Sequence, residues 1–111
     1  MSPAAARDLS AAAARRLARA APDGYAVIDQ RHGTELGFYS PAGRDSQDPH
    51  DRDELYIVAT GRGIFRRGVE AVPFGPGDAL FVAAGTPHRF ESFDDDFGTW
   101  VLFYGPARGG G

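Results

Sequence analysis

The chain has no cysteine and no lysine. The first absence excludes disulfides, thiolate metal sites and cysteine nucleophiles. The second excludes Schiff-base chemistry and the phosphate-binding lysine of a P-loop. All 12 basic residues are therefore arginines, and they are not gathered into one basic tract. With a net charge of only −3, the chain has no electrostatic footprint for nucleic acid, and none is expected as a partner. Long apolar runs are missing as well. Nothing approaches the roughly 20 residues that cross a bilayer, so no membrane partner is expected. The alanine-rich start is interrupted by Arg7, Arg15, Arg16 and Arg19. It lacks the continuous apolar centre of a signal peptide, and a cytoplasmic location is the expectation.

What the chain has in abundance is turn chemistry and aromatics. There are 15 glycines, 8 prolines and 12% aromatic residues in 111. A chain of this length reads as one domain, burying about 65% of its unfolded surface in a single core. Residues 8–21 read as a helix, rich in Ala, Leu and Arg. Ser10 or Asp8 caps its start, Pro22, Asp23 and Gly24 stop it, and Leu9, Ala13 and Leu17 form its thin apolar face. That face calls for cover from the domain or from a partner subunit. Short strands then follow over 25–28, 34–39, 54–60, 64–67, 69–74, 79–82, 88–93 and 100–104, divided by Gly, Pro and Asp turns. The division is a helical arm over 1–24, a β-domain over 25–106 and a loose tail over 107–111. The fold class is all-β, an antiparallel barrel or jelly roll with one N-terminal helix. Several strands are apolar on both phases: Leu55, Ile57 and Ala59 alternate with Tyr56 and Val58. Their outer faces need cover by the helix or a second subunit, so a homodimer is expected.

Two stretches carry candidate chemistry. One places His50 and Glu54 just ahead of a strong strand that Gly61 closes. The other runs from Gly77 through an apolar strand to Gly85 and His88. Two imidazoles and a carboxylate at strand ends suit a divalent metal: Fe, Mn, Ni or Zn. In a straight strand, His50 and Glu54 would stand about 13 Å apart, whereas ligand bonds are about 2.0–2.2 Å. A bulge or turn through Asp51, Arg52 and Asp53 must therefore fold Glu54 back. The competing reading makes His50 and Glu54 ordinary polar residues at a loop-to-strand junction, in a pocket without metal. Tyr56 shares a phase with Glu54 and Phe90 with His88. Those two aromatics are the candidate substrate-binding wall, with plain core packing as the alternative. His32 reads as a solvated turn residue. Arg62 and Arg89 are candidates for orienting an acidic substrate, although Arg89 is out of phase with His88.

Together these stretches resemble the paired motifs of the cupin superfamily. The first motif has two histidines separated by one residue, then a glutamate, then a glycine. His50, Glu54 and Gly61 match it, with Asp48 in the first histidine slot. The second runs from a glycine to a proline, a glycine, a histidine and finally an asparagine. Gly77, Gly85 and His88 match it, with Ala83 in the proline slot and Ser92 in the asparagine slot. The resemblance covers roughly residues 34–104. It implies a small single-domain cupin, with His50, Glu54 and His88 as ligands of one divalent metal. Asp48 either adds an oxygen ligand or leaves that position open. Three functions are compatible with it: a metal-dependent oxygenase or isomerase acting on a small organic molecule, a non-catalytic small-ligand-binding module, or a metal-free structural cupin.

Overall fold

The computed structural model describes residues 9–45 and 49–107. A single helix, α1 (Ala11–Ala20), precedes eight strands: β1 (Tyr25–Arg31), β2 (Thr34–Tyr39), β3 (Asp53–Thr60), β4 (Gly63–Arg67), β5 (Glu70–Phe74), β6 (Ala79–Val82), β7 (His88–Phe93) and β8 (Gly98–Tyr104). They form two antiparallel sheets, one in the order β1-β2-β8-β3-β6 and one in the order β5-β4-β7. This is a jelly-roll arrangement of the expected class. Each expected strand is present, with bounds shifted by a few residues at most.

Alternation along β3 shows how the sequence selects its faces. Glu54, Tyr56 and Val58 are buried while Leu55, Ile57 and Ala59 point outward, as a two-residue period requires. The inward residues join an aromatic core with Phe90 at its centre. Its ring lies 4.7 Å from that of Phe97, 4.8 Å from Tyr56 and 4.9 Å from Phe65. These are ordinary separations for tilted and edge-on aromatic pairs. Burying each such side chain stabilises the fold by roughly 2–3 kcal/mol. Gly61 ends β3 with φ +84°, and a Cβ there would stand 2.6 Å from the backbone of Phe97. Only glycine combines that conformation with so close an approach.

The helix packs on the outer face of the larger sheet. Ser10 caps it, its Oγ accepting the Ala13 N–H at 3.1 Å. Its buried face differs from the expected one. Ala14 and Ala18 are fully buried against Ile28 and Phe38, whereas Leu17 is 45% exposed. Methyl side chains let the helix approach the sheet closely, and Trp100 meets Phe38 edge-on at 4.9 Å beneath it. Two arginines fasten the helix to the loop before β8. Arg15 donates to the Asp96 carbonyl at 2.9 Å, and Arg19 donates to the Asp95 carbonyl and to Ser40 Oγ. Among the described residues, no helix is long and apolar enough to cross a membrane.

Candidate metal centre

The chain reaches the site through a bend. Asp51 and Arg52 leave the extended conformation and β3 begins at Asp53. This is the fold-back that the His50–Glu54 spacing demanded, and it brings His50 Nε2 within 3.7 Å of Glu54 Oε1. The bend is stitched on two sides. The Arg52 guanidinium donates to the carbonyls of Gly33, Phe103 and Gly105, tying it to the β1–β2 turn and the end of β8. Asp53 Oδ1 accepts the Ala84 N–H at 2.9 Å, and the His50 carbonyl accepts the Gly85 N–H at 2.6 Å. The second pair of bonds joins the bend to the turn that leads into His88.

His88 opens β7 and turns its ring inward. Its Nε2 lies 3.1 Å from Glu54 Oε1, and both side chains are 1% exposed. The ligand-type atoms of His50, Glu54 and His88 all lie within 4.8 Å of one another. His50, with its side chain 29% exposed, forms the open side. Aromatic rings enclose the rest: Phe103 meets His50 edge-on at 4.8 Å, and Tyr56 and Phe65 stand 6.1 and 6.2 Å from His88.

The protonation of His88 follows from its neighbours. Nδ1 lies 2.8 Å from the Thr86 carbonyl oxygen. A carbonyl only accepts, so Nδ1 carries the proton and the neutral ring presents a lone pair at Nε2. That lone pair faces a buried carboxylate. Both oxygens of Glu54 and His88 Nε2 are buried without a hydrogen-bond partner among the described residues. Groups of this kind are costly unless something positive lies between them. A divalent cation meets that need, and separations of 3.1 and 3.7 Å suit atoms sharing an ion through bonds of about 2.0–2.2 Å. The residues present therefore fit the metal. Without metal, a proton takes the same role. Burial alone would lower the His88 pKa, but the Glu54 contact, the Thr86 carbonyl and the nearby Asp45 charge outweigh it and raise it.

The remaining sequence candidates are placed as follows. Tyr56 and Phe90 lie fully buried in the aromatic core, with Tyr56 beside His88. His32 is exposed in the β1–β2 turn with φ +52°. Arg62 and Arg89 are both exposed. Arg89 lies opposite Arg66 on the outer side of the smaller sheet. Asp48 lies outside the described residues. Sequence reasoning missed the supporting residues: Arg52, Asp53, Thr86 and Asp45. Asp45 is buried, accepting from the Tyr39 hydroxyl at 2.7 Å and the Phe90 N–H at 2.8 Å. Arg52 and Asp53 were visible as polar residues between two ligands, but nothing local to the sequence says that their partners are backbone groups dozens of residues away.

A two-sheet jelly roll with a His-Glu-His cluster at its strand ends defines the class of small β-barrel proteins with a candidate metal centre. Residues 36–104, more than half of the chain, match the Cupin domain family, and the chain belongs to that family. It is 36% identical over 91 residues to an uncharacterized protein of Streptomyces coelicolor, covering 79% of this chain and 87% of that one. Among solved structures, it resembles a protein of unknown function from Rhizobium leguminosarum, with a TM-score of 0.70, 22% identity, and coverage of 90% of this chain and 97% of that one. It also resembles a Cupin 2 conserved barrel domain protein from Salinispora arenicola, with a TM-score of 0.65, 19% identity, and coverage of 89% and 87%. At these identities, the structural likenesses establish the fold.

Proposed function

We propose that this protein is a small cupin that holds one divalent metal through His50, Glu54 and His88 and uses it to bind, or act on, a small organic molecule. The observation that carries the reading is the pairing of His88 Nε2 with a buried Glu54 carboxylate, three polar atoms without a hydrogen-bond partner among the described residues. A bound metal would supply Lewis acidity and open positions for a ligand or oxygen; Fe, Mn, Ni and Zn all suit this ligand set. The chain's own residues orient and enclose. Thr86 fixes the His88 tautomer, the Arg52 and Asp53 bonds hold the bend, and Phe103 and Tyr56 limit access by water. Tyr56 and Phe90 support the inner wall rather than lining an open surface, because both are fully buried.

Metal analysis of the purified protein tests the reading. The wild type is expected to hold about one divalent ion per chain after loading. His88→Ala is expected to lose that ion, through removal of a ligand, while circular dichroism shows an unchanged β-sheet fold. Full metal content in the folded variant would rule out the ligand assignment. Oxygen uptake by Fe(II)-loaded protein, across small acids, phenols and sugars, then separates an oxygenase from a binding module.

A further inference from the structure

Two acidic side chains are buried among the described residues, Glu54 and Asp45. The candidate metal centre uses the first. Asp45 follows the loop that leaves β2: residues 42–44 are exposed, and the chain then turns back inward. The Asp45 carboxylate reaches β7. Its Oδ2 accepts the Phe90 N–H at 2.8 Å, and its Oδ1 accepts the Tyr39 hydroxyl at 2.7 Å. β7 ends the order of the smaller sheet, beside β4. A main-chain N–H on its far side needs an acceptor from outside the ladder, and Asp45 supplies it.

A neutral acceptor would serve both donors. Asp45 brings a charge as well, and burying a charge costs far more than burying an amide or a hydroxyl. The place of that charge gives it a use. Phe90 and His88 lie two residues apart on β7 and are both buried on its inner face, a rise of about 7 Å. Tyr56 spans the same gap from β3, its ring 4.8 Å from that of Phe90 and 6.1 Å from that of His88. The medium between is aromatic and buried, and charges act across it more strongly than across water. At His88 the Asp45 charge favours a positive ring, and a cation bound there would feel the same attraction. Asp45 is not one of the clustered ligand residues. With His50 and His88 neutral, as ligation requires, Glu54 and Asp45 present two buried negative charges to one divalent ion.

Resting on the metal-site reading above, we propose that Asp45 is the counter-charge of the His50–Glu54–His88 centre: a buried carboxylate, held by Phe90 and Tyr39, that strengthens binding of a divalent ion through space without ligating it. Its role is then distinct from anchoring the loop, which a neutral side chain could do.

The test compares full-length wild type, Asp45→Asn and Tyr39→Phe. Asparagine keeps an acceptor for the Phe90 N–H and nearly the same shape but removes the charge. Tyr39→Phe removes one of the two hydrogen bonds to the carboxylate and keeps the charge. Asp45→Asn is expected to bind Zn(II) at least about tenfold more weakly in calorimetric titration. The visible absorption bands of its Co(II)-saturated form are expected to match those of the wild type, because the ligands are unchanged. Tyr39→Phe is expected to melt at a lower temperature while its Zn(II) affinity stays within about twofold of the wild type. Undiminished Zn(II) affinity in Asp45→Asn overturns the proposal. Displaced Co(II) bands in Asp45→Asn overturn it too, as does a Tyr39→Phe protein that loses as much affinity as Asp45→Asn, since Asp45 would then act by holding the loop. If Asp45→Asn does not fold, Tyr39→Phe decides: retained affinity supports the counter-charge, and a loss of about tenfold overturns it. Wild type that takes up no Zn(II) overturns the metal centre itself, and the counter-charge with it.

Discussion

One proton on one imidazole decides how the centre behaves. With Nδ1–H bound to the Thr86 carbonyl, the only basic atom of His88 is the one aimed at Glu54. An ion bound as proposed would compete with a proton for the same gap. In the metal-free protein, the folded His88 pKa lies above the unfolded value near 6.5. The stability from the His88–Glu54 pair is therefore fully present below about pH 6.5 and is lost as pH rises through the folded value. The metal-loaded protein should show the reverse. Metal affinity falls as pH drops, and because the pKa is raised, the fall begins above the ordinary imidazole range. Thermal melts across pH 5–9, with and without Zn(II), are expected to show opposite slopes around neutrality. Parallel slopes would show that the bound ion is not displacing the His88 proton. That these three residues belong together was legible from their types and motif spacing. The tautomer was not, because it depends on where the Thr86 carbonyl points.

The bend between His50 and Glu54 is the element on which the site depends. Its need was legible from the mismatch between a strand's rise and a ligand bond, and its polar residues permitted it. The restraint on the bend was not legible, because the partners of Arg52 are main-chain carbonyls on two other segments. Lysine keeps the charge but not the planar fork that serves several carbonyls at once. Arg52→Lys is expected to weaken Zn(II) binding about tenfold while the melting curve stays cooperative; unchanged affinity would show that the bend holds without the fork. The helix tells a related story. Its cap and limits follow from Ser10 and Pro22, but of the apolar residues Leu9, Ala13 and Leu17 only Leu9, just ahead of the first turn, packs on the face it buries. Close packing on Ile28 and Phe38 favoured the small residues Ala14 and Ala18 instead, since contact distance rather than hydrophobicity alone sets that face.

Across the whole molecule, α1 covers only part of the larger sheet's outer face. On that face two cross-strand rows run over β8, β3 and β6: Leu102, Leu55 and Phe81, then Trp100, which the helix cluster partly covers, Ile57 and Ala79. Phe81 is 46% exposed and Ile57 38% exposed. We propose a second copy of this chain as the occupant. The six residues carry no charge that would call for a different, complementary partner, and the rows reach β6 at the end of the strand order, so the same patch on two copies can meet about a two-fold axis. Sedimentation at low micromolar concentration is expected to give twice the chain mass of 11.9 kDa, and Phe81→Arg is expected to return it to the monomer through a desolvated, unpaired charge. A wild type that sediments as a single 11.9 kDa chain would rule this interface out.

The sequence by itself determined the strand pattern, the all-β class, the family motifs and the identity of the three clustered side chains. All of these rest on local information: a two-residue period, turn residues at fixed offsets, and ligand-type residues at strand ends. Tertiary structure decided the rest. It chose the buried helix face, the partners of Arg52 and Asp53, and the lone pair that His88 offers. Each of these depends on the register between strands far apart in sequence. No local period encodes that register, and it arises only when the two sheets close on their shared aromatic core.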